Sequence, residues 1–263
     1  MASKSKTQEL ENLFQEWKNE QAQESDENFK YTKGNTQYVT KNYFCEDGII
    51  NESVFKQEKV KVLFITNESN DDSVKNVDDK LDRRADFNDY YVSHKDRWGG
   101  KLRERVCALY KVITQDNPAF TGYYDDNAYE AALRFALMNV NKRGGLETIK
   151  DSNKAYGKAN HMEEYCKIYH AYIKREIEII DPDIIVWLGV ETYDMGIPIK
   201  YLDAYSENGK VYMRMNNKRV PVLRMWHTSY YSGKNEPMSQ FRNKIIGKLA
   251  AKLYDELERY GLR

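Results

Sequence analysis

The chain has 263 residues, enough for one large α/β domain with a substantial core. Its 41 basic and 41 acidic residues cancel, so nucleic-acid binding would need a local basic surface rather than the field of the whole protein. No apolar run approaches the ~18 residues of a membrane-spanning helix, and the charged N-terminal segment has no signal-peptide core. The composition predicts a cytoplasmic protein without membrane association, which we expect to be a monomer.

The first predicted element is a helix over residues 7–22, followed by a polar connector. Its apolar residues recur at helical spacing and are Leu10, Leu13, Phe14 and Trp17. We divide the chain into this N-terminal helix and connector, residues 1–43, and an α/β domain, residues 44–263. The helix is expected to be an appendage of that domain.

Four apolar segments predict strands. They are VKVLFIT (60–66), RFALMNV (134–140), DIIVWLG (183–189) and VPVLRMW (220–226). Near-continuous apolar composition is typical of strands covered on both faces, as in a parallel sheet. Helical patterns precede or follow these strands, over residues 98–113, 160–180 and 239–260. The alternation predicts a three-layer α/β/α sandwich with a central, mostly parallel four-stranded sheet.

A hairpin is predicted within KVYMRMNNKRVPVL, with its turn near Asn216 and Asn217. It would give the fourth strand an antiparallel neighbour. Polar and small residues directly follow all four apolar runs, in TNESN, NVNKRGG, GVETY and HTSYYSG. Ligands gather at the carboxyl ends of the strands in open α/β sheets. These four segments therefore predict a site at one edge of the sheet.

Four residues in these segments could carry chemistry. Glu68 could activate a water, or it could be an acidic cap of the next helix. The amides of Asn139 and Asn141 could read a base edge, or they could hold a strand-to-loop turn. A neutral His227 could donate to developing negative charge, or it could be a hydrogen-bonded core histidine. The residues by themselves leave each pair of alternatives open.

Metal and serine chemistry are not indicated. The three cysteines, Cys45, Cys107 and Cys166, are widely separated. Cys166 and His170 are spaced as half a metal site on a helix, but no second ligand pair accompanies them, so we expect no metal or other cofactor. Ser229 lies near His227 without the G-x-S-x-G elbow of a serine hydrolase.

Taken in order, these motifs resemble the uracil-DNA glycosylase superfamily. FITNESN stands where the family has motifs such as GQDPY, and LMNVNKRGG is similar to a strand ending like TNVVKCRPP. PDIIVWLG matches the following PxxIVxLG strand, and HTSYYS looks like a variant of the HPSP motif. Ser69 and Thr228 replace family prolines, and the iron–sulfur cysteines of some branches are absent. The resemblance covers roughly residues 44–255 and implies the same α/β/α sandwich.

The function that this resemblance implies is that of a DNA glycosylase, which hydrolyses the N-glycosidic bond of uracil or another damaged or modified base during base excision repair. Glu68 would handle the water and His227 the departing base. The base would be contacted by Asn139, Asn67, Asn141 and Tyr230. The DNA, with Tyr231 as a wedge beside the flipped base, would be contacted by Tyr231, Ser229, Ser232, Lys142, Arg143 and Lys234. Two alternatives remain: a non-catalytic protein that binds nucleic acid or a modified base, and a nucleoside or nucleotide N-glycosidase.

Overall fold

A computed structural model of the protein describes the chain over residues 5–33, 36–39, 41, 43–69, 81–93, 101–114, 128–144, 162–189, 196–226 and 238–263. Its helices are α1 Lys6–Gln23, α2 Asp26–Phe29, α3 Glu52–Gln57, α4 Arg83–Ser93, α5 Lys101–Thr114, α6 Met162–Ile180, α7 Gly196–Tyr201 and α8 Met238–Tyr260, with one 3₁₀ turn at Ala128–Ala131. Its strands are β1 Lys30–Lys33, β2 Thr36–Val39, β3 Cys45–Glu46, β4 Gly48–Ile49, β5 Val62–Ser69, β6 Leu81–Asp82, β7 Ala136–Gly144, β8 Ile184–Leu188, β9 Ala204–Glu207, β10 Lys210–Met215 and β11 Lys218–Met225.

The four strands predicted from the apolar runs are neighbours in the main sheet. In the described chain this sheet has seven strands in the order β4-β7-β5-β8-β11-β10-β9. β5 pairs in parallel with β7 and β8, and β8 pairs in parallel with β11. The four predicted strands thus form a continuous parallel core, which confirms that part of the prediction.

The predicted size of the sheet is wrong, because antiparallel strands extend the parallel core at both edges. β4 pairs with β7 on one side, and β10 and β9 follow β11 on the other. β4 has two residues and β9 has four, so neither is long enough to show the alternation that marks a strand in a sequence. The sheet is therefore mixed rather than mostly parallel and four-stranded.

The order of the parallel strands predicts a crevice at the carboxyl ends of β5 and β8. The chain leaves β5 toward β7 on one side, whereas it leaves β8 toward β11 on the other. Neighbouring parallel strands whose connections leave in opposite directions open a crevice at their carboxyl ends. The polar residues that follow the apolar part of β5 lie next to this point.

Apolar cores cover both faces of the sheet. Leu63 and Ile65 of β5 pack in one core with α1 and α6, whereas the alternate residues Val62 and Phe64 pack in the other with α4, α5 and α8. This alternation is the pleat of a strand that is buried on both faces. Among the described residues, no helix is long and apolar enough to cross a membrane.

Helix α1 is part of the core, which corrects the expectation of an appendage. Ser5 caps it by accepting from the backbone N–H of Gln8, and the Glu52 carboxylate accepts from the first two backbone N–H groups of the helix. The apolar residues of α1 are buried against α6 and the sheet. They are Leu10, Phe14 and Trp17. The helix therefore contributes to one of the two layers that cover the sheet.

The predicted hairpin is confirmed. β10 and β11 pair antiparallel, and the turn between them holds Asn216 and Asn217 at φ 46° and 60°. Two consecutive positive φ values are what a tight type I′ turn requires, and asparagine tolerates this conformation better than most residues. β9 then adds to the outer side of β10 and forms the edge of the sheet.

Candidate functional site

Polar residues continue β5 and β7 beyond their apolar segments. β5 reaches Ser69 and β7 reaches Gly144, so Glu68, Asn139 and Asn141 lie within strands instead of in the loops that were expected. Thr66 is in register with Asn139, and Glu68 with Asn141. β5 and β7 extend beyond their apolar segments because backbone hydrogen bonds, which do not depend on apolar side chains, keep the two strands paired. The carboxyl edge is therefore built on ordered strands.

The side chain of Asn139 is held at both ends by the protein. Its Oδ1 accepts a hydrogen bond from the Thr66 hydroxyl at 2.7 Å, and its Nδ2 donates to Asp47 Oδ2 at 3.1 Å. Nδ2 also lies 3.5 Å from the sulfur of Cys45. Because the side chain is only 2% exposed, this amide is fixed inside the sheet. These contacts make Asn139 a structural residue that links β7 to Thr66 and Asp47, whereas a contact with a base was expected.

Asp47 hydrogen-bonds to the part of β7 that is not paired with β4. β4 pairs with β7 only at Gly48 and Ile49, which leaves the next part of β7 without a backbone partner from β4. The Asp47 carboxylate accepts from the backbone N–H of Asn139 at 2.6 Å as well as from its side chain. An unpaired buried N–H is costly, so this contact stabilises the edge of β7. In the sequence, this role of Asp47 is marked only by an acidic residue before a glycine.

Lys142 lies inside the protein between two carboxylates. Its Nζ is hydrogen-bonded to Asp47 and lies 2.9 Å from Oε1 and 2.8 Å from Oε2 of Glu176 on α6. All three side chains are fully buried. This corrects the surface position that a phosphate contact by Lys142 requires. We refer to Asp47, Lys142 and Glu176 as the buried triad.

The electrostatics of the buried triad follow from its burial. Burial opposes the charged form of Lys142, but the interactions of its ammonium with Asp47, and the hydrogen bond to Glu176, outweigh burial and raise the pKa of the ammonium. Burial raises the pKa of the Glu176 carboxyl well above its usual range, against the opposing effect of Lys142. Lys142 is therefore a cation, whereas the environment of Glu176 favours its neutral form.

Aromatic rings of α1 cover the buried triad. The Lys142 ammonium is 5.3 Å from the ring centroid of Phe14 and 5.5 Å from that of Trp17, within the range of cation–π attraction. Trp17 in turn packs edge-on against Phe44 and stacks on Tyr172. The N-terminal helix therefore closes off the end of β7 from solvent.

Asn141 has an unsatisfied hydrogen-bond donor at the carboxyl edge of the sheet. Its Oδ1 accepts from the backbone N–H of Arg143 at 3.3 Å. Its Nδ2 is buried, and no described residue accepts a hydrogen bond from it. An unsatisfied buried donor costs ~1–3 kcal/mol, so a ligand acceptor at this position would be favourable. Asn141 is thus better prepared than Asn139 to contact a ligand.

Arg143 and the cysteines are also buried. The Arg143 side chain is buried instead of lying at the surface where a DNA contact was expected. Cys45, Cys107 and Cys166 are unpaired thiols inside the protein, and burial raises the pKa of each thiol. Cys166 is in the core, whereas His170 on the same helix is exposed. The two side chains that were weighed as half a metal site lie in different environments.

For the remaining predicted site residues, the structure describes either the strand position alone or no part of the residue. Asn67 and Glu68 are described as strand positions of β5. Those that lie outside the described residues are His227, Ser229, Tyr230, Tyr231, Ser232 and Lys234. β11 ends at Met225, in register with Leu188 at the end of β8. The segment that begins with His227 thus follows a strand that ends at the carboxyl edge.

No protein-family model matches the chain, and no curated protein matches it. The interpretation of the carboxyl edge therefore depends on its own geometry and on the motifs in the sequence.

Proposed function

We propose that the protein is a DNA glycosylase that hydrolyses the N-glycosidic bond of uracil or another modified base. The observation that carries this proposal is the buried, unsatisfied Nδ2 of Asn141 on β7, at a position in register with Glu68 on β5, the strand that borders β8 on its other side. A carbonyl oxygen or ring nitrogen of an extruded base would satisfy this donor. The resemblance of the four strand-end motifs supports the same function.

The proposed reaction assigns one task to each polar residue at the edge. Water forms a bond to C1′ of the sugar as the bond from C1′ to the base breaks; the base leaves with the electron pair, and the proton that the water loses passes to the Glu68 carboxylate. Glu68 orients the water and opposes the positive charge of the sugar. His227 donates a hydrogen bond to the departing base anion. Asn141, supported by Asn67, reads the base, which must first be flipped out of a duplex.

The contacts with DNA come from the segment after β11. Tyr230 stacks on the flipped base, and Tyr231 fills the gap that the base leaves in the duplex. Ser229, Ser232 and Lys234 contact the phosphate backbone. The burial of Lys142 and Arg143 removes these two residues from the proposed DNA contacts.

A base-release assay tests this function. Oligonucleotides that carry uracil, hypoxanthine, xanthine or modified pyrimidines are incubated with the protein, and released bases are identified by mass spectrometry. Replacing His227 by Ala should slow single-turnover release by ~100- to 1,000-fold while DNA binding survives, because one donor to the transition state is lost. Glu68→Gln should also slow release, and Glu258→Gln, an exposed substitution on α8, is its control.

Two outcomes would contradict the proposal. Tight binding of one modified oligonucleotide without release from any of them would favour the non-catalytic binding protein. Release from free nucleosides but not from oligonucleotides would favour the nucleoside N-glycosidase.

For Asn141→Ala, a loss of discrimination between bases at unchanged melting temperature is expected, and unchanged discrimination would remove Asn141 from the base contact.

A further inference from the structure

The buried triad combines two acidic side chains with one basic side chain, so its charges cannot cancel when all three are ionised. Asp47 and Glu176 could each carry a negative charge, and Lys142 carries one positive charge, all in side chains that are fully buried. With all three ionised, the cluster would hold a net negative charge beneath the apolar side chains of α1. An uncompensated buried charge is strongly unfavourable, and such a group usually takes up or releases a proton instead.

The hydrogen bonds indicate which carboxyl group takes up the proton. Asp47 accepts from the backbone N–H and the side chain of Asn139, in addition to Lys142. Among the described residues, Glu176 has Lys142 as its donor. A carboxylate with several donors is better stabilised as an anion than one with a single donor. The anion of the pair is therefore Asp47.

Among the described residues, the cation that pairs with Glu176 is Lys142. The charge of Arg84 acts on Asp47, although Arg84 itself pairs with Glu46 and Asp82, and the side chain of Arg143 is buried one residue after Lys142. The elements packed around Glu176 contribute Lys142 from β7, Asp47 from the link between β3 and β4, and Leu10 and Phe14 from α1. The charged residues that follow on α1 and precede on α6 pair with one another at the surface, as Glu16 does with Arg175 at 2.7 Å. The thiol of Cys45 lies on the far side of Asn139 and is neutral, because burial raises its pKa.

We infer that Glu176 is a neutral carboxylic acid at neutral pH and that its proton holds helix α1 against the sheet. When Glu176 loses the proton, a net negative charge remains below the rings of Phe14 and Trp17. Movement of α1 away from the sheet admits water to this charge and relieves its cost. The buried triad is therefore a latch that opens as the pH rises, and this inference does not depend on the proposed function.

The direction of the pH dependence follows from proton linkage. The ordinary pKa of a glutamate side chain is 4.5, and burial raises that of Glu176 well above it. Between these two values the folded protein keeps a proton that the unfolded chain has released. The contribution of Glu176 to the free energy of unfolding is therefore fully present below pH 4.5 and falls as the pH rises. The unfolding equilibrium constant should rise tenfold per pH unit from this group, until the pKa of the folded state is reached.

Infrared spectroscopy and one isosteric substitution test the inference. The folded wild-type protein at pH 7 should show the carbonyl band of a buried protonated carboxylic acid, and Glu176→Gln should lack it. The same variant, whose neutral amide mimics the protonated acid, should lose the tenfold change in unfolding constant per pH unit between pH 5 and neutral pH. Glu178→Gln, which changes a half-buried residue two positions further along α6, should keep both signals.

Hydrogen exchange then tests the movement of α1. At each pH above 7, backbone amides of α1 should exchange faster in the wild type than in Glu176→Gln, and the ratio should grow with pH. Amides of β9 and β10, at the other edge of the sheet, report whether the change is local. A missing carboxylic acid band, or a pH slope that Glu176→Gln leaves intact, would overturn the assignment of the proton. A constant exchange ratio would overturn the latch, and the infrared result on the wild type decides the first point even if the variant does not fold.

Discussion

Two cationic side chains of this protein, Lys142 and Arg219, each contact carboxylates and aromatic rings, but one is buried and the other is exposed to solvent. Lys142 is buried between Asp47 and Glu176 and lies under aromatic rings of α1. Arg219, on the hairpin at the other edge of the sheet, pairs with Glu207 and lies 3.5 Å from the ring centroid of Tyr212. The side chains of Arg219 and Glu207 are each 47% exposed, whereas those around Lys142 are 0% exposed.

The difference shows that access to water, and not the list of partners, sets what an ion pair contributes. Around Arg219 the solvent screens each charge, so that Arg214 is tolerated directly opposite it in register on the neighbouring strand. Around Lys142 no water replaces a lost partner, so each charge depends on the others. The exposed cluster should therefore tolerate the loss of a charge, whereas the buried pair of Lys142 and Asp47 should not.

The largest effect is expected from Lys142→Met. The methionine fills a similar volume but leaves Asp47 and Glu176 facing each other without a cation. Breaking a buried ion pair by removing one partner costs ~3–5 kcal/mol, and the free energy of unfolding in denaturant titrations should fall by this amount. Adding Asp47→Asn to Lys142→Met should recover part of the loss, because it removes the anion that Lys142 leaves unpaired, whereas adding Glu176→Gln should recover little, because that side chain is already neutral. A loss below about 1 kcal/mol for the single variant would show that water reaches the triad.

A smaller effect is expected from Gly48→Ala, next to the buried triad. Gly48 has φ 102°, and an added Cβ would lie 2.9 Å from Leu10 Cδ1 on α1. The left-handed backbone costs roughly 1–2 kcal/mol for an alanine, and the contact with α1 adds to it. Gly261→Ala is the matched control, because Gly261 has φ 68° and nothing within 4 Å of its added Cβ. Equal losses in the two variants would show that α1 yields to the new methyl group without cost.

The smallest effect is expected from Arg219→Ala. An exposed ion pair contributes ~0–1 kcal/mol, and high salt should reduce even that. Thermal unfolding of the wild type and the variant at low and high ionic strength measures this contribution. A loss as large as that of Lys142→Met would contradict the role that we give to solvent in the comparison of the two clusters.

Local sequence patterns determined much of the fold. The apolar runs indicated the four parallel strands, and helical spacing indicated α1 and α6 within about two residues of their observed bounds. Asn216 and Asn217 marked the hairpin turn, since few other residues accept its positive φ values. Such features depend on neighbours within a few residues, which is why they can be predicted without the fold. The polar residues of β5 and β7 were likewise found from the strand ends, although the ends themselves lie further along the chain.

The contacts of those polar residues depend on residues that are distant in the sequence. Asp47 and Lys142 are 95 residues apart, and Lys142 and Glu176 are 34 apart. In the sequence Lys142 looks like a solvated cation near a strand end, because nothing within reach of it along the chain shows that it will be buried. Its position between two carboxylates depends on β4 stopping short beside β7 and on α1 and α6 packing over the same face. Burial of a charge is decided by groups that are distant in sequence, since only the packed elements exclude water and supply the opposite charge.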